Sequence, residues 1–84
     1  EGEISTSLDT RGYSSVTIDL KSQVNVDLHL RFNGNVGFLR QEELPYTLPL
    51  EGIDQLTITT QLRDVFFQRQ LSDYEAELYV EFHK

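Results

Sequence analysis

The stretch Gln23–Leu39, QVNVDLHLRFNGNVGFL, decides the fold because apolar and polar residues alternate along most of its length. A period of two is typical of a β-strand with one buried face and one exposed face. The motif Asn33-Gly34-Asn35 interrupts this period, and Asn-Gly sequences are typical of tight hairpin turns. The stretch therefore predicts a β-hairpin with one apolar face.

The length of the hairpin loop determines which side chains of the second strand face the core. A three-residue loop, Asn33-Gly34-Asn35, places Phe32 opposite Val36 and keeps both on the apolar face, whereas a two-residue loop places Asn35 opposite Phe32. We therefore predict the longer loop, with a positive φ near Gly34. The predicted inward residues are Val24, Val26, Leu28, Leu30, Phe32, Val36 and Phe38. The predicted outward residues are Asn25, Asp27, His29 and Arg31.

The alternation also extends backwards without a break from Phe32 to Val16. It fits a single long bent strand with Ser22 on the inner face. It also fits a hairpin whose loop is Lys21-Ser22-Gln23, although that loop lacks the glycine that short hairpins prefer. We favour two strands, and the chain could cross between two sheets at this point.

Most of the remaining chain is also β-like. Pro45 and Pro49 cannot donate backbone hydrogen bonds, so the alternating segment Leu44–Leu50 is predicted to lie along a sheet edge. Strands are further predicted around Leu56–Leu62 and Tyr74–Phe82. Seven or eight short strands at this spacing predict an all-β, antiparallel β-sandwich, with a small β-barrel as the alternative.

The length of 84 residues predicts one domain, spanning residues 1–84. The chain contains no methionine, so we expect it to be processed or excised from a longer protein. It contains no cysteine, which excludes disulfides and thiolate metal sites but leaves the compartment open. A secreted or cell-surface setting is our expectation.

The net charge is −7, and residues 1–10 and residues 73–84 carry −3 each. Such an acidic chain repels phosphate backbones, so nucleic-acid binding is not expected. The longest apolar runs fall far short of the roughly 20 residues that cross a bilayer, so no membrane insertion is expected. The charge favours solubility, and it favours a partner with basic residues over an acidic one.

One candidate metal site comprises Asp27, His29, Glu81 and His83. Residues two apart on a strand share a face, so the pairs Asp27/His29 and Glu81/His83 would converge if their strands were neighbours. The acidic ends could instead bind calcium, although no compact loop of oxygen ligands is present. Solvated charged faces explain both patterns more simply.

Carbohydrate binding requires exposed flat aromatic rings with polar neighbours. Tyr13, Tyr46 and Tyr79 are the candidates for such a platform, by their parity or loop position. The chain contains no tryptophan, whose ring offers the largest stacking surface. Tyr79 would equally serve as a contact residue for another protein.

Phe66-Phe67 is the most unusual apolar feature, because adjacent strand residues face opposite ways and one ring is then exposed. Folding over a sheet edge would bury both rings, whereas exposure would offer a contact for another protein. No nucleophile, general-base or phosphate-binding motif suggests an enzyme, and no cofactor is expected. We therefore expect a non-catalytic module that acts through another protein, a neighbouring domain or self-association, or as an assembly building block. A small-ligand module for carbohydrate or a divalent cation is the alternative.

Overall fold

The computed structural model describes residues 3–63 and 76–84, so Phe66, Phe67 and Tyr74 lie outside the described residues. Seven strands and one short 3₁₀ helix occupy the described ranges. The strands are β1 (Glu3–Asp9), β2 (Ser15–Ser22), β3 (Val26–Phe32), β4 (Asn35–Leu39), β5 (Tyr46–Pro49), β6 (Gln55–Leu62) and β7 (Ala76–His83), and the 3₁₀ helix is Gln41–Glu43. No helix in these ranges is long and apolar enough to span a membrane.

The strands form two antiparallel sheets, which confirms the predicted small β-sandwich. The larger sheet has the order β1-β6-β3-β4, and the smaller sheet has the order β5-β2-β7. Both sheets contribute their apolar faces to one core. The buried residues of that core are Val16, Ile18, Leu20, Val26, Leu28, Leu30, Leu39, Leu48, Leu50, Ile53, Leu56 and Ile58.

The alternating stretch from Val16 to Phe32 forms two strands, as predicted, and is neither a single bent strand nor a hairpin. β2 belongs to the smaller sheet and β3 to the larger one, so the chain crosses between sheets after Ser22. Leu20 pairs with Leu78 of β7, and the predicted pairing of Leu20 with Val24 is therefore wrong. The parity continues across the crossing because both strands turn the same set of side chains towards the shared core.

Two further sequence predictions are confirmed. β5 is an edge strand of the smaller sheet and, among the strands that the structure describes, pairs only with β2, as its prolines predicted. In β7 the even-numbered residues from Ala76 to Phe82 pack against the core, while Glu77, Tyr79 and Glu81 are exposed. The alternation of small or apolar residues with acids is therefore sufficient to orient this strand.

β3 and β4 form the predicted hairpin, but the predicted loop length is wrong. Phe32 pairs with Asn35, so the loop contains Asn33 and Gly34 alone. Their φ angles are 51° and 77°, and two successive positive φ angles are typical of a type I′ turn. The right-handed twist of this turn matches that of the flanking strands, which explains why Asn-Gly adopts it.

The shorter loop exchanges the two faces of β4, because successive side chains of a strand point in opposite directions. Leu39 is buried and Gly37 lies beside Leu30, so these two residues face the core. Val36 and Phe38 lie on the outer face with exposed fractions of 68% and 48%. The prediction that Val36 and Phe38 point inward is therefore wrong.

Candidate functional site

The candidate metal ligands lie on two different sheets. Asp27 and His29 are on β3 of the larger sheet, whereas Glu81 and His83 are on β7 of the smaller sheet. The strand adjacency that the metal hypothesis required is therefore absent. Within residues 3–63 and 76–84, no three or more potential metal ligands lie close enough together to hold an ion.

Asp27 takes part in a network of charged side chains that connects β3, the 3₁₀ helix and the end of β6. Arg63 donates from Nε to the Asp27 carboxylate at 2.9 Å and from Nη1 and Nη2 to Glu42 at 3.0 and 2.9 Å. The side chain of Asp27 is only 10% exposed, whereas that of Glu42 is 69% exposed. These hydrogen bonds hold the pKa of Arg63 above its ordinary value. Arg63 covers Asp27, so this residue is buried although its position on the strand predicts exposure, and its Oδ1 is already hydrogen-bonded.

The hydrogen bonds from Arg63 lower the pKa of Glu42 from an ordinary 4.5 to about 2. A lowered folded-state pKa gives stability that is present above the unfolded pKa and is lost as the pH falls through the folded value. We expect Glu42→Gln to lower the melting temperature above pH 5 and to have almost no effect near pH 2. High salt should reduce the difference, since the Glu42 side chain is largely exposed.

Thermal denaturation of the wild type and Glu42→Gln across this pH range, with Glu51→Gln as the control, tests this expectation. Glu51 is exposed and forms no ion pair with any residue that the structure describes. A difference between wild type and Glu42→Gln that is the same at pH 2.5 and at pH 7 would contradict the ion pair.

The two histidines contact protein groups in separate places. The ring of His29 lies edge-on against Phe38 with a centroid distance of 4.9 Å. His83 Nε2 lies 2.9 Å from the hydroxyl of Thr17 on the neighbouring strand β2. Each histidine thus belongs to the outer face of its own sheet.

The three candidate tyrosines do not form a common platform. The ring of Tyr13 packs on Phe82 with centroids 4.7 Å apart, which covers one of its faces. Tyr46 lies on the edge strand β5, where it pairs with Ile18 on the inner face of the smaller sheet and is 38% exposed. Tyr79 lies on the outer face of the same sheet. Tyr79 is 44% exposed, and its hydroxyl donates to Glu77 at 2.7 Å. Tyr79 thus remains accessible to a partner, with its hydroxyl already bonded within its own strand.

A depression of about 490 Å³ lies at one end of the sandwich, lined by Arg11, Asn33, Asp54 and Gln55. Two of its polar side chains are already engaged. Arg11 pairs with Asp9 at 2.9 Å, and the Asn33 amide donates to the Gly52 carbonyl. These bonds hold the surrounding turns together and leave fewer groups to recognise a ligand.

One surface was only partly predicted from the sequence; we call it the β4 surface and define it as Val36 and Phe38 together with His29, Arg31 and Arg40. The outward positions of His29 and Arg31 agree with the prediction, whereas those of Val36 and Phe38 do not. Val36 pairs with Arg31 and Phe38 pairs with His29 across the hairpin. A shallow depression of about 220 Å³ adjoins Val36 on the same outer face. The signal that identifies this surface is the Asn-Gly dipeptide, because a two-residue loop turns Val36 and Phe38 outward.

The backbone of β4 is also available at this surface. A two-residue hairpin is closed by a hydrogen-bonded pair, here Phe32 and Asn35, and hydrogen-bonded and non-bonded pairs alternate from there. The backbone N–H and C=O groups of Val36 and Phe38 therefore point away from β3. Among the described strands β4 pairs only with β3, so these groups face an open edge.

No protein-family model matches the chain, and neither a curated protein nor a solved structure shows a significant match.

Proposed function

We propose that this domain is a non-catalytic β-sandwich module that binds another protein by accepting an extended segment of it beside β4. One observation carries the proposal: the exposed apolar residues Val36 and Phe38 are also the residues whose backbone groups face the open edge. In strand addition, main-chain hydrogen bonds supply affinity, and alternate side chains supply specificity. Val36 and Phe38 offer both kinds of contact at the same positions.

The other edge strands carry features that oppose strand addition. β5 contains Pro49, which cannot donate a backbone hydrogen bond. β1 contains two acids, and β7 contains Glu77 and Glu81. Charges and prolines are the usual protection of a sheet edge. β4 alone among the described edge strands has neither, and its five residues are Asn35, Val36, Gly37, Phe38 and Leu39.

Selection of random linear peptides against the folded domain tests the proposal. We expect enriched peptides with alternating apolar residues, and we expect Val36→Ser to weaken their binding by about tenfold or more, as at a binding hot spot. The serine removes the apolar contact at the open edge without adding a charge, and it leaves the buried core unchanged. Amide chemical shifts of the complex should change most in β4 and in the facing residues of β3.

Thr47→Ser is the matched control, because Thr47 is exposed on β5, an edge strand of the smaller sheet. This variant should retain wild-type affinity, and the melting temperatures of both variants will show that they are folded. The proposal fails if no peptide is enriched on the wild type over Val36→Ser. It also fails if the chemical-shift changes lie away from β4.

A further inference from the structure

Two arginines flank the apolar residues of β4, although the net charge of the chain is −7. Arg31 and Arg40 are both exposed beside Val36 and Phe38. The acids Glu42 and Glu43 follow in the 3₁₀ helix, where Glu43 accepts a hydrogen bond from the backbone N–H of Arg40. Arg11 and Arg63 are both ion-paired within the domain. Arg31 and Arg40, by contrast, form no ion pair with any residue in the described ranges.

The two arginines frame the apolar residues of the edge. Arg31 lies opposite Val36 on the outer face. Arg40 follows β4 in an extended conformation, with φ −81° and ψ 154°, so its side chain continues the parity of Val36 and Phe38. Arg40 also lies near Glu42, but the carboxylate of Glu42 is already hydrogen-bonded to Arg63.

Resting on the proposed function, we infer that the segment bound beside β4 is acidic and carries aspartate or glutamate side chains that contact Arg31 and Arg40. Arginine donates two parallel hydrogen bonds to a carboxylate, and such pairs are stronger than neutral hydrogen bonds. The net charge by itself favours a basic partner. Local charges decide the contact, however, because the Debye length is only about 8 Å at physiological salt.

The peptide selection also tests this inference, provided that the charges of the enriched peptides are compared. We expect enriched peptides to combine alternating apolar residues with aspartate or glutamate at fixed positions. For the tightest binder, replacing each carboxylate with the amide should weaken binding. Arg31→Gln and Arg40→Gln should each weaken it by about two- to fivefold, as for exposed ion pairs, and the loss should shrink at high salt.

Lys21→Gln is the matched control, because it makes the same change in net charge on the smaller sheet. It should leave peptide affinity unchanged. Equal losses for Lys21→Gln and Arg31→Gln would show an effect of net charge alone and would overturn the inference.

Three further outcomes overturn the inference, and they affect the proposed function differently. Enrichment of neutral or basic alternating peptides that bind β4 overturns the acidic segment and leaves strand addition in place. A dimer in light scattering that Val36→Ser converts to a monomer identifies a second copy as the occupant. Failure to enrich any peptide, with the domain monomeric, overturns the inference and the proposed function together.

Discussion

Replacing Leu28 with alanine should lower the free energy of unfolding by about 2–5 kcal/mol, the usual cost of removing most of a buried leucine side chain. Leu28 is fully buried in β3, where it pairs with Thr60 of β6 and Leu39 of β4. A domain of this length has a total stability of roughly 4–13 kcal/mol, so the loss would be a large fraction of the whole. Urea denaturation at 25 °C measures it directly.

Val36→Ala is the control for Leu28→Ala, because it also removes methyl groups from an apolar residue of the same hairpin. Val36 is 68% exposed, so this change should alter the stability by no more than about 0.5 kcal/mol. Equal losses for the two variants would contradict the assignment of Leu28 to the core and Val36 to the surface.

Replacing Gly34 with valine should lower the stability by about 1–3 kcal/mol, because a β-branched residue is strained at positive φ. Gly34 has a φ of 77°, and an added Cβ would meet no atom within 4 Å. An added Cβ therefore causes no clash, and we attribute the cost to the backbone conformation. Urea denaturation of the variant measures it.

Gly37→Ala provides the comparison for the Gly34 variant within the same hairpin. An added Cβ at Gly37 would lie 3.7 Å from Leu30 Cβ, which is an ordinary contact. Alanine there should be neutral or slightly stabilising, since glycine within a strand is unfavourable. A large loss for Gly37→Ala together with none for Gly34→Val would contradict the type I′ turn.

The alternation of side chains was sufficient to predict the fold class, the edge position of β5 and the orientation of β7. It could not show that β2 and β3 belong to different sheets, because a crossing at Ser22 leaves the parity of both strands unchanged. Sheet membership depends on contacts distant in sequence, such as the pairing of Leu20 with Leu78. A local pattern contains no information about such pairs.

The hairpin shows why part of the site escaped prediction. The apolar match of Phe32 with Val36 favoured a three-residue loop, whereas Asn33-Gly34 favoured a two-residue loop. The turn chemistry prevailed, and Leu39 still fills the core on the face that the prediction had assigned to solvent. The two local signals conflict, and the turn preference of Asn-Gly outweighs the apolar match of Phe32 with Val36.

The charged network of Arg63, Asp27 and Glu42 could not be predicted from the sequence for a different reason. Arg63 is 36 residues from Asp27 and 21 residues from Glu42 along the chain, and the sheet order alone brings them together. The same reason explains why the candidate metal ligands lie apart. The sequence does not determine which strands are neighbours, and β3 and β7 belong to different sheets. The sequence correctly predicted that His29 and Glu81 lie on the outer faces of their sheets, but it could not predict which residues surround them.

Amide hydrogen exchange of β4 in the free domain tests the open edge most directly. We predict that the amides of Val36 and Phe38 exchange rapidly, because they point to solvent. Those of Asn35, Gly37 and Leu39 should be protected by bonds to β3. Slow exchange at Val36 and Phe38, or protection with the opposite parity, would contradict both the register of the hairpin and the binding edge.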